Sequence, residues 1–197
     1  MSRIAPAPRE QYAPLFGEDA PLRVQVYAQR PPIAAAFLEY GKKLRTERLL
    51  PDRLIELARL RVAFWNQCRS CMAVRYQEGL EDGVTEGLVC SIERPEEAED
   101  LTEAERAAIA YADLMATDHL SVDEAVFDRL REHFSEAEIV ELAFNVALFV
   151  GYGRMAATFK MTDDLPDRFK ADGTVTPWGE GDVVLIGDWA KPEHATT

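Results

Sequence analysis

The sequence has little cysteine, little histidine and no long hydrophobic run. Its 197 residues include three cysteines and three histidines, and an odd cysteine count argues against a framework of structural disulfides. No apolar segment of the signal-peptide type follows Met1. The longest apolar run, residues 146–150 with their flanks, is far shorter than a membrane span. These absences predict a soluble, cytoplasmic protein with no membrane partner.

Basic residues are also few. The chain has 22 lysines and arginines against 35 aspartates and glutamates, which gives a formal net charge of −13. The arginines are scattered among acids, so no concentrated basic face is available to attract a phosphate backbone. We therefore expect no nucleic-acid partner. The hydrophobic share of 47% is nevertheless sufficient for a packed core.

The hydrophobic pattern predicts an all-α domain over residues 31–160, between an irregular N-terminal arm (1–30) and an irregular C-terminal tail (161–197). Six stretches have helical spacing: residues 34–50, 54–67, about 68–79, 103–117, 122–133 and 136–158. Three Ser/Thr-x-x-Glu sequences, which start at Thr102, Ser121 and Ser135, are typical of helix N-termini. In the tail, the apolar residues 183–186 are either a short strand or a plug against a neighbouring surface, and the last few residues are expected to be disordered.

Residues 56–64 resemble residues 141–149 without gaps. Two interpretations stay open. The segments are two core helices built from the same residue types, Ala, Leu and Phe, or they are copies of a duplicated helical hairpin with chemistry in the first copy only.

The most informative feature is the sequence Cys68-Arg69-Ser70-Cys71. Cysteines at i and i+3 in the first turn of a helix share a face, and their sulfurs approach disulfide distance. The free N–H groups of the helix start, together with Arg69 and Arg75, favour a thiolate. The pair is therefore able to attack a substrate and then close as a disulfide.

Other readings of the cysteines are weaker. A zinc site needs four ligands, and no second Cys-x-x-Cys or His-x-x-His is present, so no metal or other cofactor is expected. A thioredoxin fold lacks its flanking βαβ pattern, and two buried core cysteines remain an alternative. Cys90 has no nearby partner and is expected in the core. Trp65 and Tyr76 flank the pair and are either core residues or walls of a pocket.

A glutamate, Glu56, lies twelve positions before Cys68. With its surroundings it resembles the carboxymuconolactone decarboxylase-like superfamily, on the alkylhydroperoxidase D (AhpD-like) branch, over about residues 30–158. The matching segments are Glu56-Leu57-Ala58-Arg59-Leu60-Arg61-Val62-Ala63, Cys68-Arg69-Ser70-Cys71, Glu78-Gly79-Leu80-Glu81-Asp82-Gly83-Val84 and Leu101-Thr102-Glu103-Ala104-Glu105-Arg106.

The resemblance implies an AhpD-like helical bundle, with a helical hairpin that carries Cys-x-x-Cys, and a homo-oligomer. It also implies a thiol-dependent peroxidase or disulfide reductase that acts on a small-molecule peroxide or related substrate, with an unidentified dithiol as reductant. In that assignment Cys71 attacks the peroxide, Cys68 resolves the intermediate as a disulfide, and Glu56 is the base. Glu56 has two readings. It either forms a surface ion pair with Arg59 worth about 0.2–0.5 kcal/mol, or it shares with Arg59 and Leu60 a stripe that turns inward beside the cysteines.

The chain departs from the family pattern at one position. The histidine that usually follows the second cysteine by four residues is Arg75 here. Arginine stays protonated and relays no proton, although it would lower a thiol pKa or hold Glu56 as an ion pair. Arg75→His is therefore expected to raise turnover. His119, His133 and His194 are expected to be solvated or to cap helices rather than to act in catalysis. The alternative function is a non-redox lyase of this superfamily, or a helical binding module with inert thiols.

Overall fold

The computed structural model describes residues 1–186, and most of this part of the chain is helical. The α-helices are α1 (Arg9–Phe16), α2 (Leu22–Tyr27), α3 (Pro31–Thr46), α4 (Asp52–Trp65), α5 (Arg69–Ala73), α6 (Gln77–Glu81), α7 (Glu86–Ser91), α8 (Glu103–Thr117), α9 (Glu124–Arg131) and α10 (Glu136–Phe159). Two short strands, β1 (Val74–Tyr76) and β2 (Val184–Ile186), and two 3-10 helices, His119–Ser121 and Asp167–Phe169, complete the described elements. The predicted helical fold is confirmed, with a small sheet that the sequence analysis did not include.

Helix α4 is the centre of the bundle. Every residue from 54 to 63 is buried, because one face of α4 packs on α8 and α10 while another packs on α7 and the C-terminal segment. On the first face, Ala58 contacts a cluster that includes Ala108 and Leu142. A helix covered on all sides brings its polar side chains inside as well, and Glu56, Arg59 and Arg61 are therefore buried.

Two of the three predicted helix starts are confirmed. Thr102 and Ser135 each accept a hydrogen bond from the backbone N–H three residues on, and the glutamate at that position reaches back to the cap. The third prediction is wrong: α9 begins at Glu124, capped by the Asp123 carboxylate, and Ser121 lies in a separate short turn. Aspartate satisfies the same orphan N–H groups as serine, so either residue can start the helix.

The predicted single helix from the cysteines to residue 79 is wrong. The structure divides it into α5, β1 and α6, because β1 pairs in parallel with β2, with Val74 opposite Val184. The apolar residues near 183–186 therefore form a strand, as one of the two readings expected. Pairing with β2 gives the backbone of β1 the hydrogen bonds that a longer α5 would have supplied.

The two ends are more regular than the sequence predicts. The arm contains α1 and α2 and is fixed to the bundle, with the Arg3 N–H donating to the Phe159 carbonyl at 2.8 Å. In the tail, Phe169, Val175 and Trp178 are buried against the core. The expected disorder of the last residues and the position of His194 lie outside the described residues.

Helix α10 is long and apolar. By length and composition it could cross a membrane, with a mean hydropathy of 1.3 over an 18-residue window that is 33% buried. One such helix is weak evidence, because the core helix of a soluble protein passes the same test. Leu142 and Val146 on this helix are fully buried in the main cluster.

Candidate functional site

The cysteine pair lies where the chain turns from α4 into α5. Gln67 has a φ of 48°, in the left-handed region that few non-glycine residues adopt, and its side chain holds this turn by hydrogen bonds to the backbone of Phe64 and Val175. Cys68 is the N-cap of α5, and Cys71 follows within the helix. Their sulfurs are joined in a disulfide, with the two Cα atoms 5.2 Å apart. The structure therefore brings the two predicted cysteines together as the i, i+3 spacing requires.

The two cysteines differ in exposure. Cys68 has no exposed surface, because α2, the end of α10 and the start of the tail cover it with Val26, Ala156 and Met161. Cys71 is only partly buried. The Ser70 hydroxyl lies 3.6 Å from the Cys68 sulfur. A substrate therefore reaches the pair from the Cys71 side.

Glu56 is buried below the cysteine loop, at 3% exposure. Arg59 donates two hydrogen bonds of 2.7 Å to the two oxygens of its carboxylate, and the Tyr76 N–H donates a third, at 3.2 Å. Gly79 crosses Glu56 so closely that an added Cβ would lie 2.9 Å from the Glu56 Cβ. The close crossing explains a glycine at this position and fixes the carboxylate.

Arg59 connects Glu56 to the cysteine loop. Its guanidinium donates to the carbonyl of Cys71 at 2.7 Å and to that of Val74 at 2.8 Å. Burial lowers the pKa of Arg59, but the charge and hydrogen bonds of Glu56 outweigh this effect and raise it above its ordinary value. The expected i, i+3 ion pair is thus confirmed as a pair but not as a surface feature. The predicted stripe of Glu56, Arg59 and Leu60 does turn inward, because all three side chains are buried.

Arg75 does not hold Glu56. It is completely buried, and it donates to both oxygens of Glu86 at 2.8 and 3.0 Å and to the Pro177 carbonyl at 2.7 Å. The ion-pair hypothesis for Arg75 and Glu56 is therefore wrong, because β1 directs the Arg75 guanidinium to α7 and the tail. Arg75 connects the segment after the cysteines to the C-terminal segment.

Other residues proposed from the sequence lie elsewhere. Cys90 is a free thiol and is exposed, so its expected place in the core is wrong. Trp65 is 42% exposed and donates to Asp113, whereas the Tyr76 ring lies 4.9 Å from the Arg59 guanidinium and does wall the buried pair. His119 and His133 are exposed. Within residues 1–186, no group of three or more His, Cys, Asp or Glu side chains is placed to hold a metal ion.

The two segments of the possible repeat have diverged in role. Glu141, which corresponds to Glu56, accepts hydrogen bonds from the backbone N–H groups of Leu49 and Leu50. The position that corresponds to Cys68 is Gly153, where the Asn66 side chain would have to move to admit a Cβ. The cysteine pair therefore has no counterpart in the second segment, and the duplication itself stays a prediction.

Comparison with known proteins gives a family match. Residues 31–114 match the model of the carboxymuconolactone decarboxylase family. The uncharacterized protein Rv2313c of Mycobacterium tuberculosis is 36% identical over 115 residues, which are 57% of this chain and 40% of that protein. The chain therefore spans about two-fifths of the length of that curated relative.

Solved structures share the fold. The protein ATU0492 of Agrobacterium tumefaciens, with a proposed AhpD role in antioxidant defence, has a TM-score of 0.61 and 26% identity over 71% of this chain and 95% of its own. The alkylhydroperoxidase AhpD core of a peroxidase-related protein from Ralstonia eutropha has a TM-score of 0.64 and 24% identity over 83% and 88%. The debrominase Bmp8 has a TM-score of 0.66 and 21% identity over 83% and 93%.

Proposed function

We propose that Cys68 and Cys71 form a redox-active dithiol that reduces a small-molecule peroxide or a related substrate, a proposal supported by the match of residues 31–114 to the carboxymuconolactone decarboxylase family model. One observation carries the proposal: the two cysteines close as a disulfide in which Cys68 is sealed and Cys71 retains exposure. A purely structural disulfide between residues three apart closes too short a loop to stabilise the fold strongly.

The proposed reaction begins at Cys71. Its thiolate attacks one peroxide oxygen, the O–O bond breaks, and the other oxygen leaves with a proton as an alcohol or water. The Cys71 sulfenic acid is then attacked by the Cys68 sulfur, which forms the disulfide and releases water. The dithiol loses two electrons and the peroxide gains them. An external dithiol reduces the disulfide to complete the cycle.

Glu56 and Arg59 position the reactive loop in this proposal. Arg59 donates to the carbonyl of Cys71, and Glu56 accepts from Arg59. The pair therefore fixes the position and orientation of the helical turn that carries both sulfurs. The Glu56 carboxylate already accepts three hydrogen bonds, two from Arg59 and one from the Tyr76 N–H. The assignment of Glu56 as the base stays a prediction.

The experiment that tests the proposal is oxidation of the reduced protein with one equivalent of peroxide. We expect the intact mass to fall by two hydrogens and peptide mapping to find Cys68 linked to Cys71, while Cys90 stays free. The Cys90→Ser variant is the matched control, because it removes the exposed thiol and should give the same mass change. If Cys90 is linked, or if Cys68 and Cys71 both stay reduced, the non-redox lyase or binding role is favoured instead.

We further propose that the chain forms a homo-oligomer through the outer face of α10. Val140, Phe144 and Tyr152 on this helix are 53%, 54% and 41% exposed, and Phe144 also lines an apolar pocket of about 250 Å³ between α10 and α3. A continuous apolar face of this kind is typical of an interface between copies.

Light scattering at micromolar concentration is expected to give the mass of two or more chains. Phe144→Glu should return the protein to the monomer, because it places a charge in the middle of the face. Leu120→Glu is the control, since Leu120 is 85% exposed and belongs to the short turn after α8 rather than to α10. A monomeric mass for the unaltered chain would refute the assembly.

A further inference from the structure

A pocket of about 210 Å³ opens beside the disulfide, between the end of α10, the N-terminal arm and the tail. Four of its lining residues are basic, namely Arg3, Arg69, Lys160 and Lys170, and the acidic one is Asp172. This excess of positive charge is unusual for a chain with a net charge of −13.

The positive charge of the pocket is largely uncompensated. The Arg3 side chain donates to the carbonyl of Thr158, and Arg69 donates to tail carbonyls such as that of Gly173, at 2.8 Å. Neither arginine pairs with a carboxylate within residues 1–186, and Lys160 likewise has no ion pair there. Lys170 alone has an acidic partner, Asp167, at 3.3 Å.

The arginines around the rest of the site behave differently. Arg59, Arg61 and Arg75 each form a two-pronged ion pair with a glutamate or an aspartate. Arg3 and Arg69 donate to neutral carbonyls, which fix the position of each guanidinium. These carbonyls do not neutralise its positive charge, which stays available to another group. A negatively charged ligand is the group that this charge would attract.

The pocket adjoins the dithiol. Ser70, which lines it, places its hydroxyl 3.6 Å from the Cys68 sulfur. Ala156 and Met161 also line the pocket and pack in the same cluster as Cys68, with Cys71 at its edge. Neither cysteine lines the pocket itself, and the Ser70 side chain separates a small molecule there from the Cys68 sulfur.

We propose that this pocket binds the anionic group of a small organic substrate, a carboxylate or a phosphate, and so selects negatively charged peroxides or related substrates for the dithiol. The proposal rests on the function proposed above. The overall negative charge of the protein does not oppose it at short range, because ions screen distant charges beyond about 8 Å at physiological ionic strength. The local cations then dominate at the pocket.

The test compares two alkylating reagents of nearly the same size, iodoacetate and iodoacetamide, which differ in one negative charge. In the reduced protein, with Cys90→Ser as background, the thiolate displaces iodide from either reagent, and peptide mapping reports the rate at Cys71. The quantity measured is the ratio of the iodoacetate rate to the iodoacetamide rate. We expect Lys160→Gln and Arg3→Gln each to lower this ratio about fivefold, as expected for one charge lost at close range in water.

Lys42→Gln is the matched control, because Lys42 is exposed on α3 and does not line the pocket, so the ratio should stay unchanged. A high salt concentration should remove the difference between Lys160→Gln and the unaltered chain. Equal ratios for Lys160→Gln, Arg3→Gln and Lys42→Gln, or no reaction of Cys71 with either reagent, would overturn the proposal. Alkylation needs only a free thiol, so this result is independent of whether peroxide closes the disulfide.

Discussion

Cys71→Ser is expected to abolish peroxide reduction, whereas Cys68→Ser is expected to permit one reaction and then stop. Cys71 is the exposed partner and carries out the attack, so its loss removes the nucleophile. Cys68 has no exposed surface and acts only on the intermediate that forms beside it. In Cys68→Ser, the sulfenic acid on Cys71 should therefore persist long enough to be trapped by a dione reagent. Peroxide consumption and the mass of the trapped product are the two measurements.

The control for both variants is Cys90→Ser, which should keep the full rate. The difference between the two variants is the informative result, because substitution of two inert thiols would change neither peroxide consumption nor the product mass. If Cys68→Ser continues to turn over, Cys68 is not needed to resolve the intermediate. If a sulfenic acid forms on Cys68 in the Cys71→Ser variant, the assigned order of attack is reversed. The roles would then follow the pocket near Ser70 rather than the exposure of Cys71.

Helices whose signals are local were predictable from the sequence. The span of α8 equals the predicted range, because Thr102 and Glu105 cap each other within four residues and Asp118 ends the helix. The end of α10 is displaced by one residue from the prediction, and its start is the same. These boundaries depend on side chains that bind their own backbone, so no distant contact is needed to place them.

The strand β1 could not be predicted, because its partner lies about a hundred residues away in the chain. Val74 pairs with Val184 only after the tail has wrapped over Phe169 and Trp178. The sequence pattern of β1 alone, three residues between two short helices, has too few positions to show an alternation. The contact of the tail with the core also forms part of the surroundings of the site. The tail was expected to be irregular because its own sequence does not show this contact.

The Cys68–Cys71 disulfide and the Glu56–Arg59 ion pair were predictable from spacing along a helix. The assignment of Glu56, Cys68 and Cys71 as catalytic residues follows from the family resemblance and stays a prediction. The pairing of Arg59 with the Cys71 carbonyl depends on burial of α4 on all sides, which a single helix pattern does not show. Sequence separation alone placed Arg75 near the cysteines. Because successive side chains of a strand point to opposite faces, the Arg75 side chain in β1 reaches Glu86 instead.

The buried position of Arg75 replaces the sequence-based expectation that Arg75→His raises turnover. We now expect no increase, and a fold destabilised by roughly 2–4 kcal/mol because buried carbonyls lose their donors. Arg75 is completely buried, and besides Glu86 it donates to the carbonyls of Met72, Val74 and Pro177. Histidine is shorter and offers at most two donors, so several of these acceptors would lose their partners in the interior. The measurement is urea unfolding, in which the midpoint should fall while the slope stays the same.

Arg94→Gln is the matched control, because the Arg94–Glu97 ion pair is 74% and 70% exposed, and exposed pairs contribute about 1 kcal/mol or less. Peroxide turnover of Arg75→His should be measured below its unfolding transition, so that lost activity reflects the site rather than unfolded protein. A variant with unchanged stability and a higher rate would show that the imidazole relays a proton to the dithiol. In that case the introduced imidazole would have to face the cysteines rather than Glu86, and the contact of Arg75 with the tail would not be required for folding.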